Sequence, residues 1–229
     1  PVQGAGGVII PPEGYFEHIQ KICVEFGILF IADEVITGFG RTGNWFASQT
    51  MSLEPDLVTL AKGLTSGYMP MSAVLVSDKI ANHLIDEGGE FYHGFTYSGH
   101  PVSAAVALAN LDLIEKEGLI EHVRDVTAPY LTKAIKQLDG HPLVGETRSF
   151  GLLACVELVK HKSGPVLFDP VGKVGMKCRD HAISNGLMVR AVRDGMILSP
   201  ALSFKKRDID ITVEKLKQAL DATYSELMK

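Results

Sequence analysis

Apolar positions along the chain follow two periods that alternate from segment to segment. Tyr15, Phe16, Ile19, Ile22, Cys23 and Phe26 recur at helical spacing, and Gly27 stands where a C-terminal cap belongs. Residues 28–35 then run apolar with no polar alternation, the pattern of a strand in a parallel sheet covered on both faces. "DLVTLAK" (residues 56–62) and "MSAVLVS" (residues 71–77) repeat that signature. Strands alternating with helical stretches predict a layered α/β domain.

From Pro101 the pattern changes. "PVSAAVALANLDLIEKEG" reads as a small-residue helix with Pro101 in its first turn and Gly118 at its end. Residues 119–140 continue helical, with Pro129 predicted to bend them. "SFGLLACVELV", "GLMVRAV" and "MILSPAL" are strand candidates, a helix is expected over residues 171–184, and an amphipathic helix over 208–227 closes the chain. Lys205, Lys206 and Arg207 form a solvated lead-in to that helix. The division is a first α/β domain over residues 1–120 and a smaller α+β domain over 121–229. There is no internal repeat and no low-complexity segment.

At 229 residues and 46% hydrophobic, the chain has ample material for a core. A net charge of -5 with no dense Lys/Arg run argues against nucleic acid, because phosphate binding needs a basic surface. The three cysteines, Cys23, Cys155 and Cys178, fit neither a disulfide framework nor a zinc ligand set, which points to a reducing cytoplasm and no metal. No apolar run reaches the ~18 residues of a membrane span. The chain opens on "PVQGAGGVIIPPEGY" with neither initiator Met nor leader, as expected of a piece of a longer protein.

Candidate chemistry starts at "ILFIADEVITGFGRTG", where Asp33 and Glu34 stand at the end of an apolar strand. Alternation puts Asp33 and Val35 on one strand face and Glu34 on the other. Ligands of open α/β sheets bind beyond the carboxyl ends of strands. There Asp33 and Val35 could hold a flat, protonated heterocycle, the acid on a ring nitrogen and the aliphatic group on the ring face. Asp33 could equally cap the following turn. Lys62 ends the next strand and precedes Gly63; such a lysine is either a solvated strand end or functional. Together, an Asp and a Lys at the ends of two strands are what a pyridoxal phosphate site requires, with a Schiff-base lysine and a carboxylate that keeps the ring nitrogen protonated. Glu34, on the opposite face, is expected to be structural and partnered by a nearby polar group. "GAGG" has no strand before it and is a weak dinucleotide-binding signal.

"IADEVITGFGRTG" followed by "LAKGLTSGYMPMSAV" resembles the class III (omega) aminotransferases. So do "PVQGAGGVIIPPEGYF", "FYHGFTYSGHPVSAAVALANLDLIEKEGL" and "GLMVRAV", so the resemblance covers nearly the whole chain. It implies a fold type I pyridoxal-phosphate enzyme: part of a large mixed or parallel-sheet α/β domain, plus a small C-terminal α+β domain. By position, Lys62 resembles the Schiff-base lysine, Asp33 the partner of the pyridine nitrogen, and Val35 a residue packing on the ring. Thr96 resembles the threonine that reaches the phosphate of the neighbouring subunit's cofactor, which implies a homodimer. Arg190 resembles the arginine that grips the substrate carboxylate. Arg41 and Thr42 belong to the same signature and are expected to order its loop. The implied reaction is a ping-pong transamination from an omega-amino acid or amine to a keto acid, pyruvate foremost. Family members are about twice this length, and their first half supplies a phosphate-cradling turn and a stacking aromatic that have no counterpart here. The chain thus resembles a C-terminal half. Rival readings are a 2-oxoglutarate-dependent relative, a decarboxylase or aminomutase on the same scaffold, and a non-catalytic scaffold piece.

Overall fold

Helix α1 (Tyr15–Phe26) stops where Gly27 turns left-handed at φ 63° and sends its N–H back to Cys23 O and Val24 O. The computed structural model describes residues 1–163 and 166–228. They group into two units, one of Pro1 with Pro11–Ile120, the other of Val2–Ile10 with Glu121–Lys229. The opening segment, assigned from sequence to the first domain, therefore groups with the second unit.

In the first unit, β1 (Ile31–Asp33), α2 (Ala47–Thr50), β2 (Leu57–Leu60), β3 (Ala73–Val76), α3 (Asp78–Asp86) and α4 (Pro101–Lys116) follow in order. The sheet runs β1-β2-β3, with β1 parallel to β2 and β3 antiparallel to it. It is thus mixed rather than uniformly parallel. The strand predicted over residues 28–35 is confined to three residues. Before it, Asp56 intervenes: its Oδ2 accepts the Phe30 N–H at 2.8 Å, while Phe30 O accepts the Asp56 N–H at 2.8 Å. Beyond Asp33 the chain leaves in a turn. The second strand likewise ends at Leu60, and Lys62 opens a 3₁₀ turn, Lys62–Leu64, instead of finishing the strand.

The core of this unit gathers Phe39, Leu60, Leu64, Ala107, Ile114 and Ile120, so α4 packs over the end of β2 and the turn that follows. Helices expected on both sheet faces are not all present among the described residues. Ile31 and Val74 remain exposed, and α1 buries no residue although Val24 and Phe26 are apolar.

The second unit begins within α5 (Leu119–His122), continues through a π-helical turn at Val123–Thr127 into α6 (Ala128–Lys136), and ends this stretch in a 3₁₀ turn, Gln137–Gly140. Pro129 explains the widened turn: its ring would strike the carbonyl of Asp125 in a continuous α-helix, and it has no N–H to offer. Next come β4 (Val144–Phe150), β5 (Leu153–Leu158), α7 (Lys173–Ser184), β6 (Arg190–Val192), β7 (Gly195–Leu198) and α8 (Lys206–Leu227). The four strands are antiparallel in the order β4-β5-β7-β6. "SFGLLACVELV" is therefore two strands joined by a turn at Gly151, not one.

Ala154, Val156 and Leu158 alternate toward α6, α7 and α8, meeting Leu131, Ile135, Cys178, Leu216 and Leu220 in one buried cluster. Each buried Val, Leu or Ile among them contributes about 1.5–3 kcal/mol by leaving water. On β4, Arg148 donates from Nε to Gly7 O at 2.9 Å and from Nη2 to Glu157 Oε2 at 2.7 Å. That side chain ties the opening segment to the sheet. Asp194, in the turn between β6 and β7, accepts the N–H groups of Gly172 (2.7 Å) and Gly175 (2.8 Å), and so caps α7.

No helix among the described residues is long and apolar enough to cross a membrane. Burial pushes the Cys155 thiol up to about 12 and Cys178 up to about 11. Both should therefore stay protonated and resist iodoacetamide at pH 8 in the folded protein, becoming reactive in denaturant. Mass spectrometry of alkylated peptides checks this, and early labelling of either would contradict their packing.

Candidate active site

Parallel pairing decides what the first unit can assemble. Asp33 lies in register with Thr59, three residues before Lys62, so both chains leave the sheet at the same edge. Asp33 and Lys62 are both exposed there. Asp33 Oδ1 accepts the Val35 N–H at 3.0 Å, the turn-capping geometry that its sequence position also allowed. Val35 consequently lies past the end of β1 and does not share a strand face with Asp33. It is half-buried in the turn, and one hydrogen bond fixes both the carboxylate and the Val35 backbone.

Glu34 has no exposed surface. Its N–H continues the sheet ladder to Thr59 O at 3.0 Å. Its carboxylate accepts the Thr37 hydroxyl at 2.5 Å, the Ala47 N–H at 2.9 Å and the Ser48 N–H at 2.6 Å. The last two are first-turn donors of α2 that no helical carbonyl can reach. The adjacent acids divide as alternation predicts, Glu34 inward as scaffold and Asp33 outward.

Between them and β2, residues 38–46 fold back on themselves. Phe39 N–H meets Trp45 O at 2.6 Å and Gly40 N–H meets Asn44 O at 3.1 Å. Thr42 Oγ1 and Thr50 Oγ1 share a hydrogen bond at 3.0 Å, in keeping with a loop-ordering residue. Burial pulls the Arg41 guanidinium down to about 10, still charged at neutral pH.

Lys62 takes φ 44°, a left-handed conformation that costs an L-residue roughly 1–2 kcal/mol. Sequence reasoning missed what lies against it. Asn110, half-buried midway along α4, donates from Nδ2 to Gly63 O at 2.8 Å and Leu64 O at 3.1 Å, and accepts the Ser66 hydroxyl on Oδ1 at 2.6 Å. The available signal was a carboxamide in an otherwise small and apolar helical run.

Thr96 sits in an exposed turn closed by Ser98, whose N–H reaches Phe95 O and whose Oγ accepts the Phe95 N–H, each at 2.9 Å. Phe91, Tyr92, Phe95 and Tyr97 around it are all exposed. Among the described residues, no hydrogen bond joins Thr96 to Asp33 or Lys62. Arg190 belongs to the second unit, where it opens edge strand β6 opposite Ile197. It is exposed at the rim of a cavity of about 330 Å³ lined by Leu131, Met188, Pro200 and Phe204. Asp33, Val35, Lys62 and Thr96 thus share one unit, and Arg190 lies in the other.

The profile of the aminotransferase class-III family matches residues 1–220. A putrescine–pyruvate aminotransferase of Pseudomonas aeruginosa is 53% identical over the whole chain, which covers 50% of that protein. A diaminobutyrate–2-oxoglutarate transaminase of Halomonas elongata is 40% identical over the whole chain, again with 50% of its own length covered. The crystal structure of the omega transaminase from Pseudomonas jessenii in complex with PMP superposes with a TM-score of 0.94 at 42% identity, over 98% of this chain and 50% of that one. The chain therefore spans about half the length of the relatives it matches.

Glu34→Gln keeps the shape but turns an amide NH₂ toward at least one backbone donor. In the natural full-length protein it should cost about 1.5–3 kcal/mol of stability, the scale of one charge-assisted hydrogen bond. Calorimetry would read the lowered thermal midpoint; an unchanged midpoint would remove Glu34 from the scaffold.

Proposed function

The chain belongs to the class-III aminotransferase family, and from that premise we propose that its parent protein moves an amino group from an amine or omega-amino acid to a keto acid, with pyridoxal phosphate as cofactor. The observation that carries this reading is the shared sheet edge of Asp33 and the Lys62 turn. The residues fit the cofactor: an exposed amine for its aldehyde carbon, and an exposed carboxylate, oriented by the Val35 N–H, for its ring nitrogen. Bound there, pyridoxal phosphate supplies an aldehyde that accepts the amino group and a protonated ring that withdraws electrons from the substrate carbon.

Lys62 Nζ would hold the cofactor at its aldehyde carbon, and the same amine, when free, would be placed to move a proton at the substrate carbon. Asp33 keeps the ring nitrogen protonated, and the electron-withdrawing power of the ring depends on that proton. Val35, in the turn just past Asp33, would supply an apolar contact to the ring. Thr96 would donate its hydroxyl to the phosphate of the neighbouring subunit's cofactor in a homodimer. Arg190 receives the carboxylate of the keto acid in a two-pronged hydrogen bond. Pyruvate is the favoured acceptor because the putrescine–pyruvate relative shares more of this sequence than the 2-oxoglutarate relative. The protein works in the cytoplasm on small amines and keto acids.

In the natural full-length protein, Lys62→Ala should abolish turnover, and borohydride reduction of the wild type should leave the pyridoxyl label on the Lys62 peptide. A label on Lys79 or another lysine would remove Lys62 from this role. Arg190→Met should weaken the half-reaction with pyruvate by about 2–5 kcal/mol, the range for breaking one partner of a desolvated charge pair, and the half-reaction with an uncharged amine far less. Single-turnover spectra measure both. Equal losses would make Arg190 structural, and faster turnover with 2-oxoglutarate than with pyruvate would overturn the acceptor assignment.

A further inference from the structure

A left-handed lysine persists only where its surroundings over-determine it, and two sets of contacts do so here. On one side stands Phe39, 5% exposed. A Cβ on Gly63 would come within 2.9 Å of the Phe39 Cβ, so only glycine lets the backbone after Lys62 lie this close to the ring. On the other side stands Asn110, whose carboxamide engages three of the four residues that follow the lysine: Gly63, Leu64 and Ser66. Ser66 is itself left-handed at φ 50°, so the segment held by Asn110 has a left-handed residue at each end.

The chemistry of the side chain suits this placement. Two carbonyl oxygens face one terminal atom, which must therefore be the nitrogen with its two hydrogens, and the hydroxyl of Ser66 then meets the oxygen. Aspartate has the same outline but would set a carboxylate against those two carbonyls. Leucine would leave both carbonyls and the hydroxyl without partners.

We propose that Asn110 is the positioning residue of Lys62: by fixing the carbonyls of Gly63 and Leu64 it holds the lysine Cα in its left-handed conformation, so that Nζ swings from a rigid root. The proposal rests on the assignment of Lys62 as the lysine that takes the cofactor aldehyde. A lysine that lets go of the aldehyde and then handles a proton needs its root fixed while its tip moves. Asn110 touches no reacting atom in this account and acts through the turn.

The test uses the natural full-length protein, freed of cofactor and then mixed with pyridoxal phosphate. The visible absorbance band reports capture of the aldehyde by the lysine, and its pH titration reports the setting of Nζ. Asn110→Asp should slow capture by about tenfold or more, on the scale of losing two hydrogen bonds, and should shift the pH titration. Ser66→Ala removes only the bond that orients the carboxamide and should give a smaller defect in the same direction. Asn110→Ser, with one donor retained, should fall between Asp and wild type. If Asn110→Asp does not fold, Ser66→Ala and Asn110→Ser decide the matter by the same two measurements. Variants that lose thermal stability but keep the wild-type capture rate and pH titration would make Asn110 a purely structural residue and overturn the proposal. Borohydride mapping of the wild type tests the underlying assignment separately, since a label elsewhere than Lys62 would fail that assignment whatever the Asn110 variants do.

Discussion

A carboxylate withdrawn completely from water has to be matched by donors, and much of the first unit's local geometry follows from how Glu34 is matched. Its partners come from Thr37 and from the first turn of α2. Meeting all three obliges the chain to turn immediately after β1 and to bring residue 47 back beneath residue 34. The fold-back of residues 38–46 is the path left between those points. Asp33, one residue earlier, is thereby fixed as the last strand residue, facing outward at the sheet edge. Removing the inner acid would cost more than a hydrogen bond, because the outer acid owes its place to it.

The register of β1 on β2 extends the same logic to Lys62. A parallel pair ends both strands on one side, so an acid closing one strand and a lysine just past the other meet at one edge without a long connection. The antiparallel β3 takes the other flank of β2 and brings its first residue, Ala73, rather than its carboxyl end, beside Leu60 at that edge. In the second unit, β5 is buried on both faces by different means. One face meets helices, and the other meets the opening segment through Arg148. Edge strand β6 is left to carry an exposed guanidinium.

Where physical signals were local, sequence alone was informative. Helical spacing and Gly27 marked α1, and strict alternation separated the fates of Asp33 and Glu34. Pro129 marked a disturbance that takes the form of a π-helical turn. Strand β4 was hidden because "VGETRSF" is an edge strand, polar along much of its length, with a register irregularity between Val144 and Glu146. The strand length at Asp33 was overread because its own side chain captures the Val35 N–H, and periodicity does not register such a bond. Asn110 was illegible for a different reason. Its three partners lie 44 to 47 residues earlier, and nothing in a local window links a helix carboxamide to a distant turn.

That separation has a consequence for the order in which the molecule acquires its properties. A ribosome releases Lys62 well before α4 exists, and until α4 docks the carbonyls of Gly63 and Leu64 have no carboxamide to hold them. During that interval Lys62 is free to take the conformation of any solvent lysine, since the chain between it and Asn110 must first be closed against its entropy. The three bonds from Asn110 to the turn after this lysine therefore form only with the docking of α4, and not with the pairing of the strands. A half-made chain presents an ordinary amine, and only the docked fold gives it an individual geometry.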